Sequence, residues 1–311
     1  MSRQRIAGLS GAFGRDELCR AGVTDAEIRI LRHEETLLSF RRGIYVSAAE
    51  YWAADEPGRH ALRVQSLIRA MSKQNIAAAG PSAAQIHGIS LLTKPRPLYV
   101  VTDDPGVCAT SRDGYVLRVA PLAADDACVL HGTRVTTAER TLLDLLCELD
   151  FVAGVVSLDC ALRAGRVTKA GMSNAVTRSG GRPGVETARQ VIAFANPLAE
   201  SPLESASWAH LHLQGIEPPE LQVYIFDDVR VDGIWRIGGR GVIADPDGVD
   251  KYIAGGPART REVVARDLAR TARIVAAGFV HLRWGWAELD EPARLAATVR
   301  SAFVEALRRS A

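Results

Sequence analysis

Apolar positions in the first fifty residues fall into short periodic stretches divided by glycine. "GRDELCRAGV" (14–23) predicts a short helix stopped by Gly22. "TDAEIRILRHEE" (24–35) begins again at once, with Thr24 and Glu27 at capping-box spacing. Ile28 and Leu31 form its inward face, while Arg29 and Arg32 project together one turn apart. "TLLSFRRGIYV" (36–46) then places apolar residues on both sides of a turn at Arg41, Arg42 and Gly43, which predicts a hairpin. Two short helices joined by a glycine-bearing turn, with a hairpin directly behind them, predict a winged helix-turn-helix over residues 1–50.

The pattern over 51–198 is α+β. An amphipathic helix is predicted over 58–73, and a shorter one runs from Pro81 to Gly88. Strands are predicted at 97–103, 116–121 and 129–135. A helix over 136–149 follows, capped by Thr137, with Leu142, Leu145, Leu146 and Leu149 on one face. Arg140 and Asp144 stand four residues apart, the spacing of a helical ion pair that positions the helix. His87, between Ile86 and Gly88, reads as a core histidine, since no second His or Cys stands at metal-ligand spacing. Helices at 152–165 and 183–196 complete this region.

From 199 to 311 the order becomes αβββαβ. Ser201, Pro202 and Glu204 occupy the N-cap, N1 and N3 positions of a helix that ends at Gly215. Strands are predicted at 220–226, 230–236 and 239–245. A long helix spans 258–277 and closes at Gly278, followed by a strand at 279–284 and a helix at 290–309. The whole is α/β and α+β, in several domains.

Composition changes this picture little. In 311 residues, 47% are hydrophobic and 24% charged, as in an ordinary globular chain. The net charge of +2 permits a local basic face without demanding a nucleic-acid partner. Five cysteines with no C-x-x-C pair argue against a disulfide framework or a zinc site, and fit reduced thiols in the cytoplasm. No apolar run reaches the ~20 residues that span a bilayer, so no membrane partner is expected.

Two sets of residues carry candidate chemistry. Arg29 and Arg32 on the second helix, with Arg41 and Arg42 in the hairpin turn, are placed to contact bases and phosphates of double-stranded DNA. The acids Asp25, Glu27, Glu34 and Glu35 share or adjoin that helix and should lower affinity. The same module without DNA binding would be a protein-interaction module. The second set is Asp232, Asp245, Asp247 and Lys251, near the ends of adjacent strands. Three carboxylates and a lysine suit a site for Mg²⁺ and phosphodiester cleavage. The same residues also suit a surface turn, because Asp-Pro-Asp-Gly is a strong turn sequence, or a degenerate core kept as a scaffold. Pro246 is expected to end the strand's pairing between two of the acids.

Four segments in order, "RRGIYV", "PSAAQIHGI", "VTTAERTLLDLL" and "ALRAGRVT" followed by "GVETARQVIAFANPLAESPLES", resemble the AbiEi-type antitoxins of abortive-infection (type IV) toxin–antitoxin systems. The resemblance implies a winged helix that binds operator DNA and represses its own operon. It also implies a following region that counters a nucleotidyltransferase-like toxin encoded alongside. A palindromic operator would call for a homodimer. Beyond residue 199, "PPELQVYIFD", "RVDGIW", "DPDGVDKY" and "LRWGWAEL" resemble a very-short-patch-repair-like domain with the restriction-endonuclease-like αβββαβ core. That resemblance implies a helix glutamate at Glu204, a second-strand acid at Asp232 and third-strand acids at Asp245 and Asp247. Asp247 stands in the usual lysine slot, which leaves Lys251 as the available lysine. Asp232, Asp245 and Asp247 would hold Mg²⁺ if the core is active.

Overall fold

The computed structural model describes residues 2–6, 8–71, 75–93, 97–112, 114–247 and 256–310. It is a mixed α/β chain in two compact units, Met1–Glu148 with Arg166–Arg189, and Leu149–Gly165 with Gln190–Ala311.

The first unit opens with α1 (Ser2–Ile6), β1 (Ala12–Gly14), α2 (Arg15–Arg20), α3 (Asp25–His33), β2 (Leu37–Arg41) and β3 (Ile44–Ser47). The strands form an antiparallel sheet in the order β1-β3-β2. Phe13, Leu18, Val23, Ile28, Leu31, Leu37 and Tyr45 close its core. Gly22, with φ of +79°, makes the turn between α2 and α3, a conformation that only glycine adopts without strain.

Next come α4 (Ala48–Ala53), α5 (Glu56–Met71), β4 (Ile76–Ala78), α6 (Gly80–Ile86), β5 (Leu98–Thr102), β6 (Thr110–Arg112), β7 (Tyr115–Val119), β8 (Ala127–Leu130), β9 (Thr133–Thr136) and α7 (Ala138–Leu146). Six strands form one sheet in the order β6-β7-β5-β4-β9-β8. Ala61, Val64 and Leu67 of α5 pack on Ile76, Val100, Leu117 and Val135 of that sheet. With Ile68, which packs against the same core, they recur at three and four residues, the apolar stripe that makes α5 a helix. The segment 129–135, expected as one strand, is a tight hairpin of β8 and β9. His131 and Gly132 both take positive φ at its turn, as a two-residue hairpin requires.

The second unit contains α8 (Phe151–Arg163). In chain order there follow α9 (Lys169–Arg178), which lies in the first unit and was not expected from the sequence, and α10 (Val185–Phe194). The second unit continues with α11 (Pro202–Leu213), β10 (Glu220–Phe226), β11 (Val229–Trp235), β12 (Val242–Pro246), α12 (Gly256–Ala276), β13 (Val280–Trp284), α13 (Trp286–Leu289) and α14 (Pro292–Ser310). From α11 to β13 the order is αβββαβ. The sheet runs β10-β11-β12-β13, antiparallel except for the parallel pair β12–β13. A parallel pair needs a crossover, and α12 supplies it. Val229, Val231, Ile234, Ile243 and Ile274 fill the core on one side.

Pro246 is the last residue of β12, but contrary to expectation it does not break the pairing with β13 between Asp245 and Asp247. It stands opposite Trp284, and the Asp247 N–H donates to the Trp284 carbonyl at 2.8 Å. β11 pairs with β12 only as far as Ala244, so the N–H that proline lacks is not missed on that side. The expected final helix is α14, with Pro292 at its first position, and it is preceded by a short helix α13 that was not expected from the sequence.

Candidate nucleic-acid interface and acid cluster

Helix α3 is built as its sequence requires. The Thr24 hydroxyl accepts from the Glu27 N–H at 3.3 Å, and the Glu27 carboxylate accepts from the Thr24 N–H at 2.8 Å. Ile28 and Leu31 are buried, whereas Arg29, Ile30, Arg32 and His33 are exposed. The acids at the start of the helix are already engaged. Asp25 accepts a bidentate pair from Arg15 at 2.6 and 2.7 Å, which holds its carboxyl below the usual range. Glu27 is taken up by the cap, with Arg5 at 3.7 Å. Of the acids expected to repel phosphate, Asp25 and Glu27 thus have their charge offset internally, a point the sequence alone does not show, while Glu34 and Glu35 at the far end are exposed.

The β2–β3 turn is closed by the Ser39 hydroxyl, 2.9 Å from the Arg41 carbonyl and 3.1 Å from that of Ile44. Its two arginines differ. Arg42 is exposed, and among the described residues it makes no ion pair. Arg41 is half-buried, with its guanidinium 5.7 Å from the centre of the Tyr115 ring on β7.

On α7 of the first unit, Arg140 and Asp144 form the expected pair within a wider network. Arg140 Nε donates to both Asp144 oxygens at 3.1 and 3.2 Å, and its terminal nitrogen reaches Asp126 at 2.6 Å. Arg182 donates to Asp144 at 2.6 Å. Asp144 is buried, so the arginines hold α7 in place through hydrogen bonds rather than offering a free charge. His87 is also buried, with Nε2 2.8 Å from the Thr136 carbonyl, and burial lowers its pKa.

In the second unit, β11 and β12 set Asp232 beside Asp245, while Glu204 on α11 and Asp247 just after β12 are held by partners of their own. Glu204 is buried and accepts from the Glu200 N–H at 2.9 Å and from the Gln222 amide at 3.1 Å. The Asp232 N–H donates to Asp245 Oδ1 at 3.2 Å, which sets the two acids side by side. Asp245 is 3% exposed, and its Oδ2 receives Arg270 at 2.5 Å and has His281 Nε2 at 2.8 Å. Burial pushes its carboxyl upward, but the hydrogen bonds from His281 and Arg270 outweigh that and bring it down to about 2. Asp247 receives Arg283 at 2.6 Å, and Arg283 also pairs with Asp267. Lys251 lies outside the described residues.

These contacts bear on the expected Mg²⁺. A small divalent ion needs carboxylate oxygens directed into an open octahedral site. Here Asp245 Oδ2 already takes two partners and Asp247 faces an arginine, so an ion would have to displace Arg270 or His281. As placed, the residues do not fit Mg²⁺. Among the described residues, no three His, Cys, Asp or Glu side chains stand together as a metal would require. The sequence reading missed Arg270, His281 and Arg283. One signal was present: Arg270 lies one helical turn before Ile274, a buried residue of α12, and so shares its inward face.

Residues 43–194 match the family described as the AbiEi antitoxin C-terminal domain. Two proteins of Mycobacterium tuberculosis, the uncharacterized proteins MT2308 (strain CDC 1551 / Oshkosh) and Rv2248 (strain H37Rv), are each 32% identical over 110 residues. The match covers 34% of this chain and spans 41% of the length of those relatives. The crystal structure of the RV2827C protein from the same organism aligns over 71% of this chain and 81% of its own, at a TM-score of 0.41 and 16% identity. No described helix is long and apolar enough to cross a membrane.

Proposed function

We propose that the chain is a cytoplasmic antitoxin of the AbiEi type that binds double-stranded DNA at its own promoter and counters a nucleotidyltransferase-like toxin. The single observation that carries the antitoxin part is the match of residues 43–194 to the AbiEi antitoxin C-terminal domain. The DNA-binding part is supported by the first 47 residues. Their order of helix, strand, two helices and hairpin, with the sheet ordered β1-β3-β2, supports the reading of a winged helix. Arg29 and Arg32 are exposed on α3 and Arg42 in the β2–β3 turn, and the acids of α3 are engaged by Arg15 and Arg5. Binding a palindromic operator would be by a homodimer.

The αβββαβ order of the second unit supports a restriction-endonuclease-like scaffold. The ion pairs at Asp245 and Asp247 favour a scaffold over a working Mg²⁺-dependent nuclease, so no cleavage step is assigned to it.

The test is co-expression of the full chain with the toxin gene beside it, together with a reporter behind the shared promoter. The chain should restore growth and repress the reporter. Repression should be lost in Arg29→Ala with Arg32→Ala and kept in Asp232→Ala. Growth arrest that persists beside a well-expressed chain would sink the antitoxin reading. Repression that survives loss of both arginines would sink the assigned interface.

A further inference from the structure

Ile30 is the apolar residue at the outermost line of α3. At 100° per residue, Ile28 and Leu31 define the buried side of the helix, and the opposite line carries Ala26, Arg29, Ile30 and His33. Ile30 is 55% exposed. A β-branched side chain in water on the outer face does nothing for the helix itself, where isoleucine is a poorer former than the straight-chain residues. At three and four residues' distance its neighbours are Ala26, Glu27, His33 and Glu34, of which Glu27 is held by the helix cap, and Arg29 and His33 stand on the outer side of the helix beside it. The acid that begins the helix, Asp25, is held by Arg15. The first two turns of this face therefore carry Arg29, an apolar point at Ile30 and acids already engaged by Arg15 and the cap, while Glu34 is exposed beyond them at the end of the helix that lies away from the N-terminal turns.

That combination matches one feature of the DNA major groove. Among base edges there, thymine alone presents an apolar group, the C5 methyl, while guanine presents the paired acceptors that arginine reads. We infer that Ile30 packs on the C5 methyl of a thymine in the operator, so that α3 specifies T at one position as well as G. The inference rests on the proposed DNA binding and adds a specificity-determining residue to it.

The experiment uses the full chain and a promoter duplex trimmed to the segment it protects, with affinity followed by fluorescence anisotropy. A second duplex carries deoxyuridine for every thymidine in that segment, which removes the methyl groups and leaves base pairing intact. The wild-type chain should bind the uridine duplex about fourfold more weakly for each methyl group that is packed. Ile30→Ala should bind the thymidine duplex with a similar loss and lose little more on the uridine duplex, because the two changes remove one contact. Ile30→Val should retain part of the discrimination. Equal affinity of the wild type for both duplexes overturns the inference while leaving DNA binding intact. So does a uridine penalty of the same size in Ile30→Ala, which places the methyl contact elsewhere. If neither duplex binds at any salt concentration, the proposed DNA binding fails and this inference falls with it. A change in oligomeric state on Ile30→Ala without thymine discrimination assigns Ile30 to a protein interface and overturns it.

Discussion

Replacing Asp245 with Asn keeps the side-chain volume and removes the charge that holds Arg270 and His281. Its size follows from two estimates. The carboxyl falls from an ordinary value of 3.8 to about 2. At ~1.4 kcal/mol per pKa unit that difference is about 2.5 kcal/mol of folding stability. Breaking one partner of a buried pair typically costs ~3–5 kcal/mol. Arg270 retains 27% side-chain exposure and can rehydrate, whereas His281 at 3% cannot, which favours the lower end. A loss of about 2.5 kcal/mol lowers the melting temperature of a unit this size by roughly 10 °C. The assay is thermal unfolding of the intact chain followed by tryptophan emission, to which Trp208, Trp235 and Trp284, all buried in the second unit, contribute. Because the folded pKa is depressed, the stabilisation is complete above about pH 4 and is lost as pH falls through about 2. The gap between wild type and variant should close over that window. An acid cluster lacking internal cations would behave in the opposite way, since neutralising one carboxylate relieves repulsion. An unchanged or raised melting temperature in Asp245→Asn at pH 7 refutes the reasoning.

Further outcomes concern the first unit. His60 is buried with Nε2 2.9 Å from Ser82 Oγ, and burial, with the nearby charge of Arg63, brings its pKa down to about 4. The unfolded chain takes up this proton at ~6.5, so stability is complete above that pH and falls by about 3 kcal/mol as pH drops to 4. Urea midpoints measured from pH 7.5 to 4 should slope in the wild type and flatten in His60→Gln. Gly184→Ala should destabilise the first unit by roughly 3 kcal/mol or more, because φ is +79° and a Cβ would lie 1.9 Å from the Cys147 carbonyl oxygen; the unfolding midpoint reads this directly. Of the two turn arginines, Arg42→Ala should reduce the salt slope of DNA binding by about one phosphate contact, whereas Arg41→Ala, already engaged with Tyr115, should change it less.

Local signals gave the elements that have their own caps. Thr24 with Glu27, Ser201 with Pro202 and Glu204, and the glycines at 22, 215 and 278 mark helix ends, and the strand at 220–226 lies where its alternation puts it. Short elements were harder. β1 and β4 have three residues each, too few to show a period, and owe their pairing to partners 22 or more residues away in β3, β5 and β9. The β8–β9 turn is formed by His131 at positive φ, where asparagine or glycine is the usual signal. For the acid cluster, adjacent strands were enough to bring Asp232 and Asp245 together. The residues that decide its chemistry were not legible, because Arg270 and His281 lie 25 and 36 positions from Asp245 and only the crossover through α12 to β13 brings them to it.

The central claim, that this chain reads DNA through α3 and the β2–β3 turn, is tested most directly by equilibrium binding. A labelled duplex from the region upstream of the gene is titrated with the full chain between about 50 and 200 mM salt, wild type beside Arg29→Ala with Arg32→Ala. The account predicts submicromolar binding at low salt that weakens steeply as salt rises, with a weaker and shallower dependence, by about two phosphate contacts, in the double variant. Equal affinity and equal slope for the two proteins, or no salt-dependent binding by either, would contradict it.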